Sequence, residues 1–243
     1  MTVDENEVRK FVEWLPEISE DEAYVVQVML RPWKPSHTNI PKSGLLHLEV
    51  IEGGDGFRER LFDAIVRAAL LASNAGTVFR VAHHGRMVRV PPDAVAVYTR
   101  VNPSLLIRAA TRLCIEHIEY LQSAAYSGKV EYSVLTRRIA SVLAREIHTR
   151  FHIIDVDDDS IVDNVVAAVE DIVGYVPPRI KTRRGLHILV PVSNLDANRA
   201  KKWFREVLPM LMERYRGLIE YKREGLEPTP GTVYKGVVVR LLL

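Results

Sequence analysis

The sequence predicts a mixed α/β (α+β) fold in two halves, residues 1–150 and 151–243. Three observations carry the prediction. Over residues 151–221, β-rich runs and amphipathic helical stripes follow one another in the order β-α-β-β-α-β, the order of a ferredoxin-like (RRM-like) split unit. Before that unit, runs such as Tyr24-Val25-Val26-Gln27-Val28 alternate with helical patterns, giving an N-terminal α/β half. The chain has 243 residues, 47% hydrophobic and 26% charged, ample for a substantial core.

Composition removes several classes of function. A formal net charge of +2 excludes a polybasic tail protein, so any nucleic-acid binding must come from a local patch. The single cysteine, Cys114, excludes a disulfide scaffold and a multi-cysteine zinc site, and suits a reducing compartment. No apolar run reaches membrane-spanning length, and the acidic start is unlike a signal peptide. The expectation is a cytoplasmic protein with no membrane association.

In the first half, Val8, Phe11, Val12 and Leu15 recur at helical spacing, and Pro16 interrupts the helix. Residues 23–30 and 45–51 read as strands, joined by a proline-rich loop over 31–44 that has room for function. The turn Gly53-Gly54-Asp55-Gly56 lacks the ending of a P-loop and reads as a plain strand-to-helix turn. A helix follows over 57–73. Residues 77–82 and 87–90 pair as strands around a polar tip, His83-His84-Gly85, and 94–101 is a further strand ending at Asn102-Pro103. Ser104 is expected to cap a helix to about residue 123, with His117 a satisfied helix-face histidine. A last helix covers 134–149, with Leu135, Ile139, Val142, Leu143 and Ile147 inward. Its other face carries Arg137, Arg138 and Arg145, either a solvated face or a nucleic-acid contact.

In the second half, 151–156 is a strand and Asp159 or Ser160 caps a helix to about residue 173. Residues 175–181, with Pro177-Pro178, are placed at a sheet edge. A turn at Arg183-Arg184-Gly185 leads to a strand over 186–192. Ser193-x-x-Asp196 looks like a capping box for a helix whose stripe runs from Ala200 to Tyr215, with Pro209 bending it. Residues 218–221 form the last strand. In the split unit the first and third strands lie together at the centre and the fourth flanks the first. Asp155 and Asp157, two residues apart on the first strand, then share a face. His187 and Glu220 become their neighbours across the sheet.

Clustered carboxylates repel one another and raise each other's pKa unless a cation lies between them. Magnesium or manganese is the expected partner, because hard cations take oxygen ligands and keep sites open for phosphate and water. Taken alone, Asp155-x-Asp157 is also compatible with an acidic loop capping the next helix.

Three stretches in this order resemble the motifs of the archaeo-eukaryotic primase (primase–polymerase) superfamily, and in particular the catalytic small subunit of primase. They are Ile153-Ile154-Asp155-Val156-Asp157, Arg183-Arg184-Gly185-Leu186-His187, and Ile219-Glu220 followed by Pro230-Gly231-Thr232-Val233-Tyr234-Lys235-Gly236. The resemblance covers residues 151–236. It implies a primase–polymerase core acting as a template-dependent nucleotidyltransferase on single-stranded DNA. By position, Asp155, Asp157 and Glu220 would hold Mg2+ or Mn2+. His187, Arg183, Arg184 and Lys235 would bind the nucleoside triphosphate. A helicase or accessory primase subunit would be a separate chain. Lys181 and Arg240 are weaker candidates.

The sequence departs from the family in places. Lys181-Thr182 stands where the family often has serine in the second motif. Glu220 stands where aspartate is common, and Glu224 or Glu227 could compete for its role. The zinc-binding cysteines of many cellular primases are absent. Asp155-x-Asp157 also resembles the opening of haloacid-dehalogenase-type phosphatases, but too little chain follows to build their parallel sheet. An EF-hand fails at Ser160 and Val166. The non-enzymatic alternative is a primase-like subunit that binds nucleic acid or a partner protein on the same sheet.

Overall fold

The computed structural model describes residues 3–128 and 132–243. Two five-stranded antiparallel sheets organise the chain, with helices packed against them.

The first sheet grows from the N-terminal half. Helix α1 (Glu5–Trp14) is capped by Asp4, whose carboxylate accepts from the Glu7 amide at 3.2 Å, and it buries Val8, Phe11 and Val12. Strand β1 (Glu22–Leu30) lies between β2 (Gly44–Glu52) and a later strand. The Gly-rich turn after β2 is a strand-to-helix turn. A Cβ on Gly53 would lie 2.1 Å from the Ser19 carbonyl oxygen, so only glycine fits. Helix α2 (Phe57–Ser73) packs Leu61, Ala64, Ile65 and Ala68 onto the sheet. After a helical turn, α3 (Ala75–Val78), a hairpin of β3 (Arg80–His83) and β4 (Arg86–Arg89) turns at His84 and Gly85, both with positive φ. Strand β5 (Val95–Arg100) completes the centre of the sheet beside β1.

Parity along β1 sorts its side chains between two cores. Tyr24, Val26, Val28 and Leu30 face α1 and α2. Val25 faces the other side, where Ala109, Val142 and Leu143 cover it. Those last residues belong to α4 (Leu106–Ser127) and α5 (Tyr132–Arg145). Ser104 does not cap α4. It lies in a two-residue strand, β6 (Ser104–Leu105), on β1, and its hydroxyl donates to the Leu143 carbonyl at 2.8 Å. Helix α5 stops at Arg145, short of the expected 149, because Ile147 bridges back to Ser104. The inward placement expected for Leu135 concerns a side chain outside the described residues.

The second sheet contains β7 (Phe151–Val156), β8 (Arg179–Lys181), β9 (Leu186–Pro191) and β10 (Ile219–Lys222), in the order β10-β7-β9-β8. That is the order expected of the split unit, with β7 and β9 central. Helix α6 (Val162–Val173) and the composite helix α7 (Ala197–Lys202) to α8 (Leu208–Arg214) cover one face. There Ile154, Val156, Ile188 and Val190 meet Val165, Val169 and the fully buried Trp203. Asp158, not Asp159 or Ser160, caps the turn before α6. Asp196, not Ser193, caps α7, accepting from the amides of Asn198 and Arg199 at 2.9 Å each. Pro209 acts one turn earlier than a simple bend. Lacking an N–H, it cannot continue the α-ladder, and Trp203–Val207 winds as a π turn closed by the Leu208 amide on the Trp203 carbonyl.

The chain then returns to both sheets. Strand β11 (Leu226–Pro228) joins β5 in the first sheet. A hairpin of β12 (Val233–Tyr234) and β13 (Val237–Val238) follows. Strand β14 (Arg240–Leu242) pairs with β8, so β8 is not the sheet edge that its prolines suggested. Those prolines lie before the strand, where no N–H is needed, and the Pro178 carbonyl still accepts from the Leu189 amide at 2.9 Å. Val239 and Leu241 share a core with Val8, Phe11, Phe151, Ile153 and Leu189. Residues on both sides of position 150 thus build the first sheet. Among the described residues, no helix is long and apolar enough to cross a membrane.

Candidate active site

Glu220, Asp155 and His187 form one row across three adjacent strands. Asp155 is directly opposite Glu220 on β10 and directly opposite His187 on β9. The alternation of β7 puts Ile154 and Val156 against the helices and leaves Ile153 and Asp155 on the other face. Toward Ile153 and Leu189 that face is sealed against the first half. Toward Asp155 it opens into a cleft of about 1070 Å³ between the sheets.

Asp155 is 8% exposed, and both its oxygens are engaged. Oδ1 lies 3.2 Å from His187 Nε2, and Oδ2 is ion-paired with the ammonium of Lys222. Lys222 stands two residues after Glu220, so it projects from the same face of β10. On the far side of the imidazole, His187 Nδ1 meets the carboxylate of Glu227, which is 0% exposed. That contact is an ion pair in close apposition, not a well-directed hydrogen bond. Glu227 comes from β11, so the first sheet supplies the partner for a histidine of the second. Burial works against protonation of His187, but Glu227, and then Asp155, outweigh it and hold the imidazole above its ordinary pKa. Lys222 is likewise raised: burial opposes its charge, and Glu227, Asp155 and Glu220 restore it.

Asp157 and Glu220 are exposed and line the same cleft. Asp157 lies one residue past the end of β7, where its amide donates to the Leu218 carbonyl at 2.9 Å. The Arg183-Arg184-Gly185 turn presses against this point. A Cβ on Gly185 would lie 2.0 Å from the Val156 carbonyl oxygen, so glycine is what lets the two arginines approach the acidic end of β7. Thr182 closes the turn, its amide donating to the Gly185 carbonyl at 3.1 Å.

The rim is cationic. Arg31, Lys34, Lys42, Arg183, Arg184, Lys222, Arg223 and Lys235 line the cleft, against Asp155, Asp157, Glu220 and Glu224. That two-to-one excess suits a polyanion despite a nearly neutral chain. Trp33, from the loop between β1 and β2, stands on the wall. The Arg183 guanidinium lies 4.3 Å from its ring centroid, and its indole N–H donates to the Asp93 carbonyl at 2.8 Å. Arg183 also donates to the Lys235 carbonyl at 3.3 Å. Lys235 and Gly236, both with positive φ, form the tip of the β12–β13 hairpin, which aims Lys235 at the cleft. From behind, Asn102 and Arg100 fix the far wall by donating to the carbonyls of Arg223 at 3.0 Å and Glu224 at 2.9 Å.

The structure thus gathers Asp155, Asp157, Glu220, His187, Arg183, Arg184 and Lys235 around one cleft. Glu224 is on the rim, and Glu227 lies behind His187, so Glu220 is the carboxylate of the row. Arg137, Arg138 and Arg145 are not among the residues lining it. Arg138 donates to the Glu116 carbonyl at 2.7 Å and Arg145 to the Glu116 carboxylate at 2.5 Å, fastening α5 to α4. Lys181 pairs with Asp159, and Arg240 pairs with Asp4 and Glu7, away from the cleft. Sequence reasoning missed Lys222, Trp33 and the role of Glu227. For Lys222 a signal existed, since its spacing from Glu220 already put it on that face.

The carboxylates are the right donors for a hard divalent cation, and the Lys222 ammonium against Asp155 is a stand-in positive charge at that point. Among the described residues, no three metal-ligating side chains already converge closely enough to hold an ion, so a cation would have to displace Lys222 from Asp155. Comparison with protein-family models, with curated proteins and with solved structures finds no match to this chain.

Proposed function

We propose that this chain is a primase–polymerase-type, template-dependent nucleotidyltransferase that joins nucleoside triphosphates on single-stranded DNA. The observation that carries the reading is the Glu220–Asp155–His187 row opening onto a cleft rimmed by arginine and lysine. Magnesium or manganese held by Asp155, Asp157 and Glu220 would supply Lewis-acid activation of the attacking hydroxyl and stabilisation of the leaving pyrophosphate. His187 is locked between Glu227 and Asp155, so its Nε2–H would turn to the triphosphate only once a metal draws Asp155 away. Arg183, Arg184 and Lys235 take the triphosphate, where guanidinium forks match phosphate oxygens. Trp33 and Tyr234 on the cleft wall would offer aromatic surface to a base once Arg183 turns from the Trp33 ring to the triphosphate. A helicase or accessory primase subunit would act from a separate chain.

A second reading is favoured by one contact. Lys222 neutralises Asp155 without a metal, which removes the electrostatic argument that clustered carboxylates demand one. On that reading the chain is a non-catalytic primase-like subunit that binds nucleic acid or a replication partner in the same cleft. One assay separates the two. The protein is incubated with single-stranded DNA, labelled nucleoside triphosphates and manganese, with and without primer, beside an Asp155→Ala/Asp157→Ala variant. The first reading expects polymer from the wild type and none from the variant. DNA binding without polymer in any lane points to the second reading or to an enzyme that needs its accessory chain. The absence of polymer, of DNA binding and of metal binding together would leave the acidic pair a helix cap and defeat the motif reading.

A further inference from the structure

The β3–β4 hairpin carries charge that its own chain does not answer. Residues 79–92 contain Arg80, Arg86 and Arg89, with His83 and His84, and neither aspartate nor glutamate. All three arginines are exposed, and among the described residues none has a side-chain partner. The strand register sorts them. Arg80 is directly opposite Arg89 and Ala82 directly opposite Met87, so period-two alternation puts these four on one face. Val81 and Val88 hold the other face against the core, which turns the arginine pair to solvent. Arg86 stands at the tip, beside the turn at His84 and Gly85. Like charges directly opposite one another in a strand pair work against the fold. Folding alone gives no reason for Arg80 to face Arg89.

We propose that this hairpin is a second nucleic-acid contact, holding phosphates of the duplex part of a primed template beside the cleft. That the duplex belongs to a primed template rests on the reading of the cleft; the contact itself rests on the hairpin. Position supports this occupant. Arg89 precedes Asp93 by four residues, a reach of at most about 14 Å. The Asp93 carbonyl accepts from the Trp33 indole at 2.8 Å, its carboxylate pairs with Lys34 at 2.5 Å, and both Trp33 and Lys34 line the cleft. That reach is roughly four stacked nucleotides at 3.4 Å each, so one nucleic acid can touch cleft and hairpin together. Side-chain type selects a duplex over a single strand. Single-strand surfaces combine cations with aromatic rings on which bases stack. The hairpin has the cations, but residues 80–89 include no Phe, Tyr or Trp. Shape agrees, because a two-stranded ribbon fits the roughly 12 Å major groove of a duplex, with arginines on its outer face and at its tip.

Fluorescence anisotropy of the full chain over a salt series tests the contact, without metal or nucleoside triphosphates. One probe is a single-stranded oligonucleotide, the other the same strand with a primer annealed. Arg80→Ala/Arg86→Ala/Arg89→Ala should lower the slope of log K against log salt by about 2–3 on the primed DNA, near 0.9 for each phosphate lost. The slope on the single strand should stay at the wild-type value. The corresponding triple lysine variant should keep the wild-type slope on both, since a phosphate contact needs the charge and not the guanidinium. The alanine variant should melt no lower than the wild type, because it loses no partner and relieves one like-charge pair. Equal slopes for wild type and alanine variant on primed DNA overturn the proposal. So does an equal loss on both probes, a lysine variant that behaves like the alanine one, or no binding to primed DNA at all. Only binding is read, so a cleft that makes no polymer leaves the hairpin result standing, and a hairpin that fails leaves the polymer assay intact.

Discussion

At Asp155 two cations compete for one carboxylate, the resident Lys222 ammonium and any metal that enters. Lys222→Met should expose that competition. Loss of the ammonium leaves a nearly buried carboxylate short of a partner and should destabilise the fold by about 1–3 kcal/mol. Manganese should return that stability, raising the melting temperature of the variant more than that of the wild type. Melting curves that ignore manganese in both proteins would remove the metal from the site. A second residue fixes a pH dependence. Glu22 is 3% exposed and pairs with His148 and Arg150. Burial acts to raise its pKa, but His148, the Ser19 amide and Arg150 outweigh it and hold the carboxyl below its ordinary value. The stability it contributes is therefore full above the unfolded-state pKa and is lost as pH falls through the folded one. Glu22→Gln should cost about 1–3 kcal/mol at neutral pH, and urea titrations should show the gap from wild type closing on acidification. At this scale the placement of the candidate residues was largely legible. Asp155, Asp157, His187 and Glu220 could be aligned because period-two alternation and one strand order fix their faces. Glu227 could not, because its partner His187 lies on a strand of the other sheet.

The turn between β8 and β9 shows how an element serves the site. Gly185→Ala places a Cβ inside the Val156 carbonyl contact, and backbone cannot yield cheaply there. The expected result is a loss of roughly 2 kcal/mol or more, read from the urea midpoint, together with weaker nucleotide binding as Arg183 and Arg184 draw back. Elements themselves were legible wherever stripe and breaker agreed, as in α2, β5 and β7. They slipped where neighbouring polar residues competed for one role. Asp158, Asp159 and Ser160 all suit a cap, and only the path of the chain decides among them. Ser104 reads as a cap by type, yet its hydroxyl is taken by Leu143 in another helix. Pro209 announced a break, but whether the helix kinks or widens into a π turn depends on keeping Trp203 and Leu211 on one buried face.

Over the whole molecule, charge separates from net charge. The chain carries only +2, yet the cleft gathers cations around an acidic row. Binding of single-stranded DNA should therefore fall with salt, and Arg184→Ala or Lys235→Ala should each lower the slope of log K against log salt by about 0.7. Equal slopes in wild type and variants would place the DNA elsewhere. Four strands of the second sheet could be anticipated because their connections follow one supersecondary unit, whereas β14 could not. The first could not, because β11 closes it from far along the chain: Thr99 meets Thr229 through a buried hydroxyl pair at 2.9 Å. That late closure has a consequence for biosynthesis. On the ribosome β5 is made long before β11, and β8 long before β14, so both sheets wait with an open edge while the intervening chain emerges. The cleft is completed in the same final step, when Lys222 and Glu227 reach Asp155 and His187, so the nascent protein acquires its fold and its site together.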